Sequence, residues 1–195
     1  MIGVIDYGAG NLQSVASALT KLEKAFFVAE KPKDLVRAER VILPGVGSAG
    51  SAVQNLLESG FIDVIAGLKV PFLGICLGLQ LLADFSEEGG VQCLSIIPGR
   101  VKKFVSSTLK IPQIGWNKVE LVKPSPLTKN IADEEYFYFV NSYYFDAPAE
   151  NIIGKTLYGR PFPSIIQKNN FYGVQFHPEK SGECGLQLLR NFCDL

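Results

Sequence analysis

Hydrophobic positions in the first half of the chain alternate between two spacings. Residues 1–6 form a short apolar run, and after the glycine-containing turn at 7–11 the apolar side chains recur every three or four positions, as in a helix packed on one face. Strand-like runs return at 26–29, 40–43 and 70–75, and helical spacing returns at 52–57 and 77–85. This alternation predicts an α/β fold with a mostly parallel central sheet and helices on both faces.

The pattern changes after about residue 99. Aromatic and β-branched runs at 136–140, 163–167 and 171–176 are separated by Gly, Pro and Asn, which predicts antiparallel strands added to the sheet. Helical spacing returns at 185–192. Because no internal repeat or low-complexity linker interrupts the pattern, residues 1–195 are predicted to form one domain.

Charge and hydropathy exclude two classes of partner. The 19 basic and 19 acidic residues cancel, and the one basic doublet, Lys102-Lys103, is too small to attract nucleic acid or anionic lipid. The longest apolar stretch, at 70–83, is interrupted by Pro and Gly and falls short of the roughly 20 residues that a membrane span needs. Without a basic leader at the N-terminus, the sequence indicates a cytosolic protein.

The four cysteines are predicted to be free thiols, because the chain shows neither Cys-x-x-Cys spacing nor a secretion signal. A single histidine is too few for a structural zinc site, so no metal is expected. The sequence also predicts no cofactor.

The sharpest chemical signal is Gly74-Ile75-Cys76-Leu77-Gly78, where a buried strand meets a helix. Small residues on both sides of a nucleophile permit the strained strand-to-helix turn of a nucleophile elbow. The helix N-terminus would favour a thiolate at Cys76, and the amide of Leu77 would face a developing oxyanion. The alternative is a buried cysteine between packing glycines. Cys93, Cys184 and Cys193 lack this context and are interpreted as structural.

The second signal is Gly173-Val174-Gln175-Phe176-His177-Pro178-Glu179, which contains the one histidine. Pro178 favours extended geometry at His177, and a strand period of two would place the side chains of His177 and Glu179 on one side. Glu179 could then accept the imidazole N–H while the other ring nitrogen serves Cys76. A surface or core histidine is the alternative, but a thiol that needs a base makes the triad the better interpretation.

A third pattern, Gly45-Val46-Gly47-Ser48-Ala49-Gly50, matches the glycine fingerprint of dinucleotide-binding folds. That function is not favoured, because the next strand, at 70–75, lacks the terminal acid that binds ribose. With Pro44 before it, the segment is interpreted as a rigid loop whose free amides face the same centre as Cys76.

Together these motifs resemble the glutaminase subunit of imidazole glycerol phosphate synthase, a class I (triad) glutamine amidotransferase. The resemblance extends over nearly the whole chain. The matching stretches are Asp6-Tyr7-Gly8-Ala9-Gly10-Asn11, Pro44-Gly45-Val46-Gly47, Gly74-Ile75-Cys76-Leu77-Gly78-Leu79-Gln80, Ser86-Glu87-Glu88-Gly89, Gly115-Trp116-Asn117, Asn141-Ser142-Tyr143 and residues 173–182.

The resemblance implies a flavodoxin-like amidotransferase domain that hydrolyses L-glutamine to glutamate and ammonia through a thioester on Cys76. It implies that Gly45, Gly47, Gln80, Ser142 and Tyr143 hold glutamine. It also implies an oxyanion hole formed by Leu77 with Val46 and Gly47, which a partner would complete by moving the loop.

The family partner is a cyclase of the (β/α)₈-barrel type, so a heterodimer is expected in which ammonia serves imidazole glycerol phosphate and AICAR formation in histidine biosynthesis. The resemblance places Asn11, Trp116 and Lys180 near the partner. Trp116 also suits a binding anchor on general grounds, although a core aromatic is the alternative.

Two positions depart from the family, which usually has histidine at Asn141 and commonly at Gln113. A divergent copy that supplies ammonia to a sugar amidotransferase is therefore one alternative function. A redox-sensing protein that uses Cys76 as a reactive thiol is another, although a sensor thiol needs no oriented base.

Overall fold

A computed structural model describes residues 1–8 and 10–195 of the chain. The helices are α1 (Leu12–Lys21), α2 (Ala49–Glu58), α3 (Phe61–Gly67), α4 (Leu77–Gln80) and α5 (Gly182–Cys193). The strands of the larger sheet are β1 (Ile2–Ile5), β2 (Phe26–Ala29), β3 (Arg40–Gly45), β4 (Phe72–Cys76), β8 (Gln113–Leu121), β9 (Glu135–Asn141), β11 (Ile152–Tyr158), β12 (Arg160–Lys168) and β13 (Phe171–Val174). A smaller sheet contains β5 (Phe85–Ser86), β6 (Val91–Gln92), β7 (Arg100–Lys103) and β10 (Tyr143–Asp146).

The larger sheet has the order β2-β1-β3-β4-β13-β12-β11-β8-β9. Strands β2, β1, β3, β4 and β13 are parallel to one another, and β12, β11, β8 and β9 extend the sheet with antiparallel pairing. The predicted α/β class and the antiparallel additions of the second half are therefore confirmed. The first half of the chain, in which strands and helices alternate, forms four of the five parallel strands. The fifth, β13, comes from the C-terminal part of the chain and lies between β4 and β12.

Helices cover both faces of the parallel half, as predicted. Side chains of α1 and α5, such as Leu19 and Leu189, belong to one buried apolar cluster. Side chains of α2, α3 and α4, such as Leu56 and Phe61, belong to a second cluster on the other face. Burial of these two layers is the main apolar stabilisation of the sheet on which the site is built.

The predicted helix at 77–85 is wrong in length, because α4 ends at Gln80. Beyond it the carbonyls of Leu81, Leu82 and Ala83 accept hydrogen bonds from the amides of residues 94–97. Tertiary pairing thus replaces the helical bonds that the apolar spacing had indicated. Helix α3, the strands β8 and β11 and the four strands of the smaller sheet were not predicted.

The remaining predicted elements lie where the sequence indicated, with ends displaced by a few residues. The predicted turn at 7–11 contains Ala9, which lies outside the described residues. In the part of the chain that the structure describes, no helix is both long enough and apolar enough to cross a membrane.

Candidate active site

Cys76 lies at the strained junction between β4 and α4. Its backbone has φ 54° and ψ −105°, a strained conformation that a residue with a side chain seldom adopts. A Cβ at Gly74 would lie 2.4 Å from the carbonyl oxygen of Gly78, and one at Gly78 would lie 2.1 Å from that of Leu43. Both glycines are therefore required by close backbone approach, as the elbow interpretation predicted.

The strand register places three segments at one edge of the sheet. Gly45 pairs with Cys76 across β3 and β4, and Val174 pairs with Ile75 across β13 and β4. Because these strands are parallel, the residues that follow each of them emerge beside the Cys76 elbow. His177 and the loop after Gly45 are brought to the thiol in this way.

His177 and Glu179 form a short hydrogen bond, with Nδ1 and Oε1 2.9 Å apart. From the sequence, a strand was expected to place these two side chains on one side, and that expectation is wrong. Strand β13 ends at Val174, and Pro178–Lys180 form a 3₁₀ turn. His177 itself is extended, with φ −100° and ψ 95°, as Pro178 predicted. The turn folds the Glu179 carboxylate back onto the imidazole, and both side chains are almost fully buried.

The charge state of His177 is set by its two neighbours. Burial lowers the pKa of His177, but the interactions of the imidazolium with Cys76 and Glu179 outweigh burial and raise the pKa to about 10. The imidazolium form is thus favoured next to Cys76 and Glu179. With the other nitrogen bound to Glu179, Nε2 is the ring atom left to exchange a proton with sulfur.

A cavity of about 260 Å³ opens at the thiol. It is lined by Val46, Gly47, Cys76, Leu77, Gln80, Glu88, Pro112, Val140, Asn141, Ser142, Tyr143 and His177. The volume lies below the roughly 300–1,000 Å³ of sites for drug-sized ligands and suits a small polar molecule.

Most of the predicted site residues meet in this cavity. Gly45 does not line it and instead packs under the elbow, where a Cβ would lie 2.6 Å from the amide nitrogen of Gly78. Glu179 lies behind His177, on the side away from the cavity. There its Oε1 also accepts a 3.3 Å hydrogen bond from Nδ2 of Asn11.

Two groups that the sequence reasoning did not single out also belong to the site. Gln175 is fully buried, and its Nε2 lies 3.7 Å from the sulfur of Cys76. Glu88 places a carboxylate in the cavity wall and accepts a hydrogen bond from the amide of Ala49 at 2.8 Å. Gln175 lies within the motif of His177, two residues before it, but the motif assigns no role to this glutamine.

The two departures from the family pattern face each other. Gln113 and Asn141 are directly opposed on β8 and β9, and both are buried. Nδ2 of Asn141 donates to the carbonyl of Tyr143 at 3.0 Å. Among the residues that the structure describes, Oδ1 of Asn141 and Oε1 of Gln113 have no hydrogen-bond partner. A ligand N–H or a water molecule would satisfy such buried acceptors.

Asn11, Trp116 and Lys180 lie outside the cavity. Asn11 lines a second, more open groove of about 510 Å³ on the far side of Glu179. Trp116 is 56% exposed, so the alternative of a core aromatic is wrong. Lys180 is exposed as well, one residue beyond Glu179.

The cysteines and the clusters of potential metal ligands were both subjects of prediction. All four cysteines are free thiols, as predicted. Among residues 1–8 and 10–195, no group of three or more His, Cys, Asp or Glu side chains is arranged to hold a metal ion. The side chains gathered around Cys76 are those of a thiol nucleophile with an oriented base.

The fold and this site define a class of enzyme, and the sequence matches it. The model of the class I glutamine amidotransferases matches residues 3–195, and the chain belongs to that family. A crystal structure of a glutamine amidotransferase superposes with a TM-score of 0.77 over 99% of this chain and 97% of that one, at 18% identity.

Full-length relatives narrow the comparison further. The chain is 47% identical to the imidazole glycerol phosphate synthase subunit HisH of Methanocaldococcus jannaschii, over 100% of both chains. It is also 47% identical to the subunit of the same name from Chlorobaculum tepidum, again over 100% of both. Similarity at this level over complete lengths extends the family resemblance to the HisH subunits.

Proposed function

We propose that this protein is a glutaminase subunit that hydrolyses L-glutamine to glutamate and ammonia. The observation that carries the proposal is the thiol of Cys76, held on a strained elbow and lining the same cavity as an imidazole whose Nδ1 lies 2.9 Å from Oε1 of Glu179. Family membership and the size of the cavity support the same reaction. We also propose that residues 1–195 act as one domain.

The reaction follows from the roles of the three side chains. The sulfur of Cys76 attacks the carboxamide carbon, and the oxyanion that forms is held by the amide of Leu77 with that of Val46 or Gly47. The carbon–nitrogen bond then breaks as His177 gives its proton to the leaving nitrogen, so that ammonia departs and a thioester remains. His177 next takes a proton from water as the water oxygen attacks the thioester carbon. The carbon–sulfur bond then breaks, which releases glutamate and returns Cys76 and His177 to their starting state.

The cavity wall offers matched groups for the rest of the substrate. The carboxylate of Glu88 suits the α-ammonium group of an amino acid. Gln80, Ser142, Tyr143 and the glycine loop at Gly45 and Gly47 are proposed to hold glutamine. The free Oδ1 of Asn141 gives the site an additional acceptor for a substrate N–H group.

A partner that consumes the ammonia is proposed to be a cyclase of the (β/α)₈-barrel type, in a heterodimer that forms imidazole glycerol phosphate and AICAR in histidine biosynthesis. The names of the full-length relatives support this choice. The strands β8 and β9 supply a suitable surface, because their outward side exposes Ile114, Trp116 and Tyr136. Asn11 and Lys180 are proposed to lie near the same partner.

The alternatives are less well supported. Gln113 and Asn141 point into the molecule and leave the outward side of β8 and β9 unchanged, so nothing in their placement favours a different partner such as a sugar amidotransferase. The carboxylate that orients His177 has no use in a redox sensor.

The direct test is Cys76→Ala, with glutamate release measured in the presence of the cyclase. We expect turnover to fall to background, because no other side chain in the cavity can form the thioester. The control Cys184→Ala, at a half-buried thiol, should keep full turnover, since this thiol lies near Tyr136 and Ser181 and outside the cavity. Continued turnover in Cys76→Ala would refute the assignment of Cys76 as the nucleophile.

A further inference from the structure

The sulfur of Cys76 has a buried neighbour that the triad alone does not require. The side chain of Gln175 is fully buried, and its Nε2 lies 3.7 Å from Sγ. The backbone of Gln175 is held by a 2.9 Å hydrogen bond to the carbonyl of Ser164, immediately after β13. Because Val174 pairs with Ile75, this position stands beside Cys76 in the sheet register.

The direction of the Gln175 amide is fixed by a chain of neighbours. The carbonyl oxygen of Tyr143 can only accept, so the atom of Gln80 that lies 3.1 Å from it must be Nε2. The same nitrogen lies 3.0 Å from the Gln175 side chain, whose facing atom must therefore be the acceptor Oε1. The other end of the Gln175 amide, a donor, then faces the sulfur.

The sulfur thus lies between a donor and an acceptor. The carbonyl of Val140, 3.8 Å from Sγ, can accept a hydrogen bond from a neutral thiol only. The amide of Gln175 can donate to sulfur, and a thiolate is much the stronger acceptor. The Gln175 contact therefore favours the charged form that the imidazolium of His177 also favours.

We propose that Gln175 is a positioning residue that donates a hydrogen bond to the Cys76 sulfur and stabilises its thiolate. The amide chain from Tyr143 through Gln80 sets the direction of that bond. The inference deepens the proposed glutaminase function and rests on Cys76 as the nucleophile. It also gives Gln80 a second role, because both of its amide protons are used within the protein and only its oxygen is left to face a substrate.

Two substitutions distinguish the hydrogen bond of Gln175 to Cys76 from its hydrogen bond to Gln80. Gln175→Met keeps the length of the side chain and removes both hydrogen bonds, whereas Gln175→Glu keeps an acceptor for Gln80 and replaces the donor to sulfur by oxygen. The measurement is the rate of Cys76 alkylation by iodoacetamide against pH, without glutamine or partner, with the modified residue identified by mass spectrometry. We expect the pH midpoint to rise by about one unit in Gln175→Met, the size expected for loss of one hydrogen bond to a charged group, and at least as far in Gln175→Glu.

The matched control is Thr156→Val, which removes a buried 2.8 Å hydrogen bond to Ser164 in the neighbouring strand. It should lower stability and leave the alkylation midpoint unchanged. A midpoint that stays at the unsubstituted value in both Gln175 variants would overturn the inference. That failure is distinct from failure of the proposed function, which Cys76→Ala tests through turnover.

A second measurement needs no substitution and covers the case in which the variants do not fold. In the unmodified protein, the side-chain amide resonances of Gln175 should shift with pH at the same midpoint as alkylation. After methylation of the Cys76 thiol this titration should disappear. Amide resonances that do not respond to the state of the sulfur would overturn the inference equally.

Discussion

Single residues of the site are set by their immediate neighbours, and His177 shows this most directly. Its pKa is raised to about 10 because Cys76 and Glu179 favour the imidazolium more than burial opposes it. Since the folded-state pKa lies above the ordinary value of 6.5, the stability that this group contributes is fully present below about pH 6.5. It is lost as pH rises through about 10.

The chain has one histidine, so its ring can be followed without overlap by ¹⁵N NMR. In Glu179→Gln we expect the pKa of His177 to fall toward 6.5, because the substitution removes a charge and weakens the 2.9 Å hydrogen bond. The control Glu183→Gln removes an exposed carboxylate that pairs with Lys21, and it should leave the titration unchanged. If the two variants titrate alike, Glu179 is not the group that holds the imidazolium.

At the scale of elements, the elbow depends on how closely α4 approaches β3 and β4. The prediction concerns Gly78→Ala, whose Cβ would lie 2.1 Å from the carbonyl oxygen of Leu43. Because that neighbour is backbone and cannot turn aside, we expect the free energy of unfolding to fall by about 1–3 kcal/mol, measured by urea denaturation. Gly67→Ala is the control, since a Cβ there meets nothing within 4 Å. Equal stability of the two variants would mean that the elbow tolerates a side chain.

The sequence predicted a helix or strand correctly where apolar residues recur at a clear spacing or form an unbroken run. The parallel strands are almost entirely apolar, and the glycines around Cys76 mark a turn by their spacing, so both were found. Strand β8 was missed because its side chains alternate between buried and exposed in a run of mixed polarity, Gln113–Leu121. The predicted helix at 77–85 was too long because its end is decided by bonds to residues 94–97, far beyond its own apolar pattern.

The contacts of Gln175 and the pairing of Gln113 with Asn141 could not be predicted for a related reason. Each depends on strand register between segments that are distant in the chain, such as Ile75 with Val174. The order of residues within one segment does not predict how that segment aligns with a distant strand. The histidine and its acid were found because they are neighbours in sequence, although a 3₁₀ turn and not a strand brings them together.

For the whole molecule, the two halves of the larger sheet meet at the active site. The parallel half provides Cys76 and the segment that carries His177, and the antiparallel half provides β9, which ends at the cavity wall. The amide of His177 donates to the carbonyl of Tyr138 on β9 at 2.9 Å, which fastens the base to that edge strand. The ring of Tyr138 meets Trp116 on the outward side, with centroids 6.0 Å apart. A partner that binds this outward side would therefore contact the strand to which His177, the proposed catalytic base, is attached.

Trp116→Ala tests whether that side is the docking surface. We expect affinity for the cyclase, measured by titration calorimetry, to fall by about thirtyfold or more, the loss typical of a buried aromatic anchor. Thermal stability should change little, because the indole is 56% exposed in the free chain. Val36→Ala removes a 90% exposed apolar side chain that follows β2 at the opposite end of the sheet, and it should bind normally. Unchanged affinity in Trp116→Ala would show that the partner does not depend on this side of β8 and β9. The proposed connection between docking and His177 would then be lost.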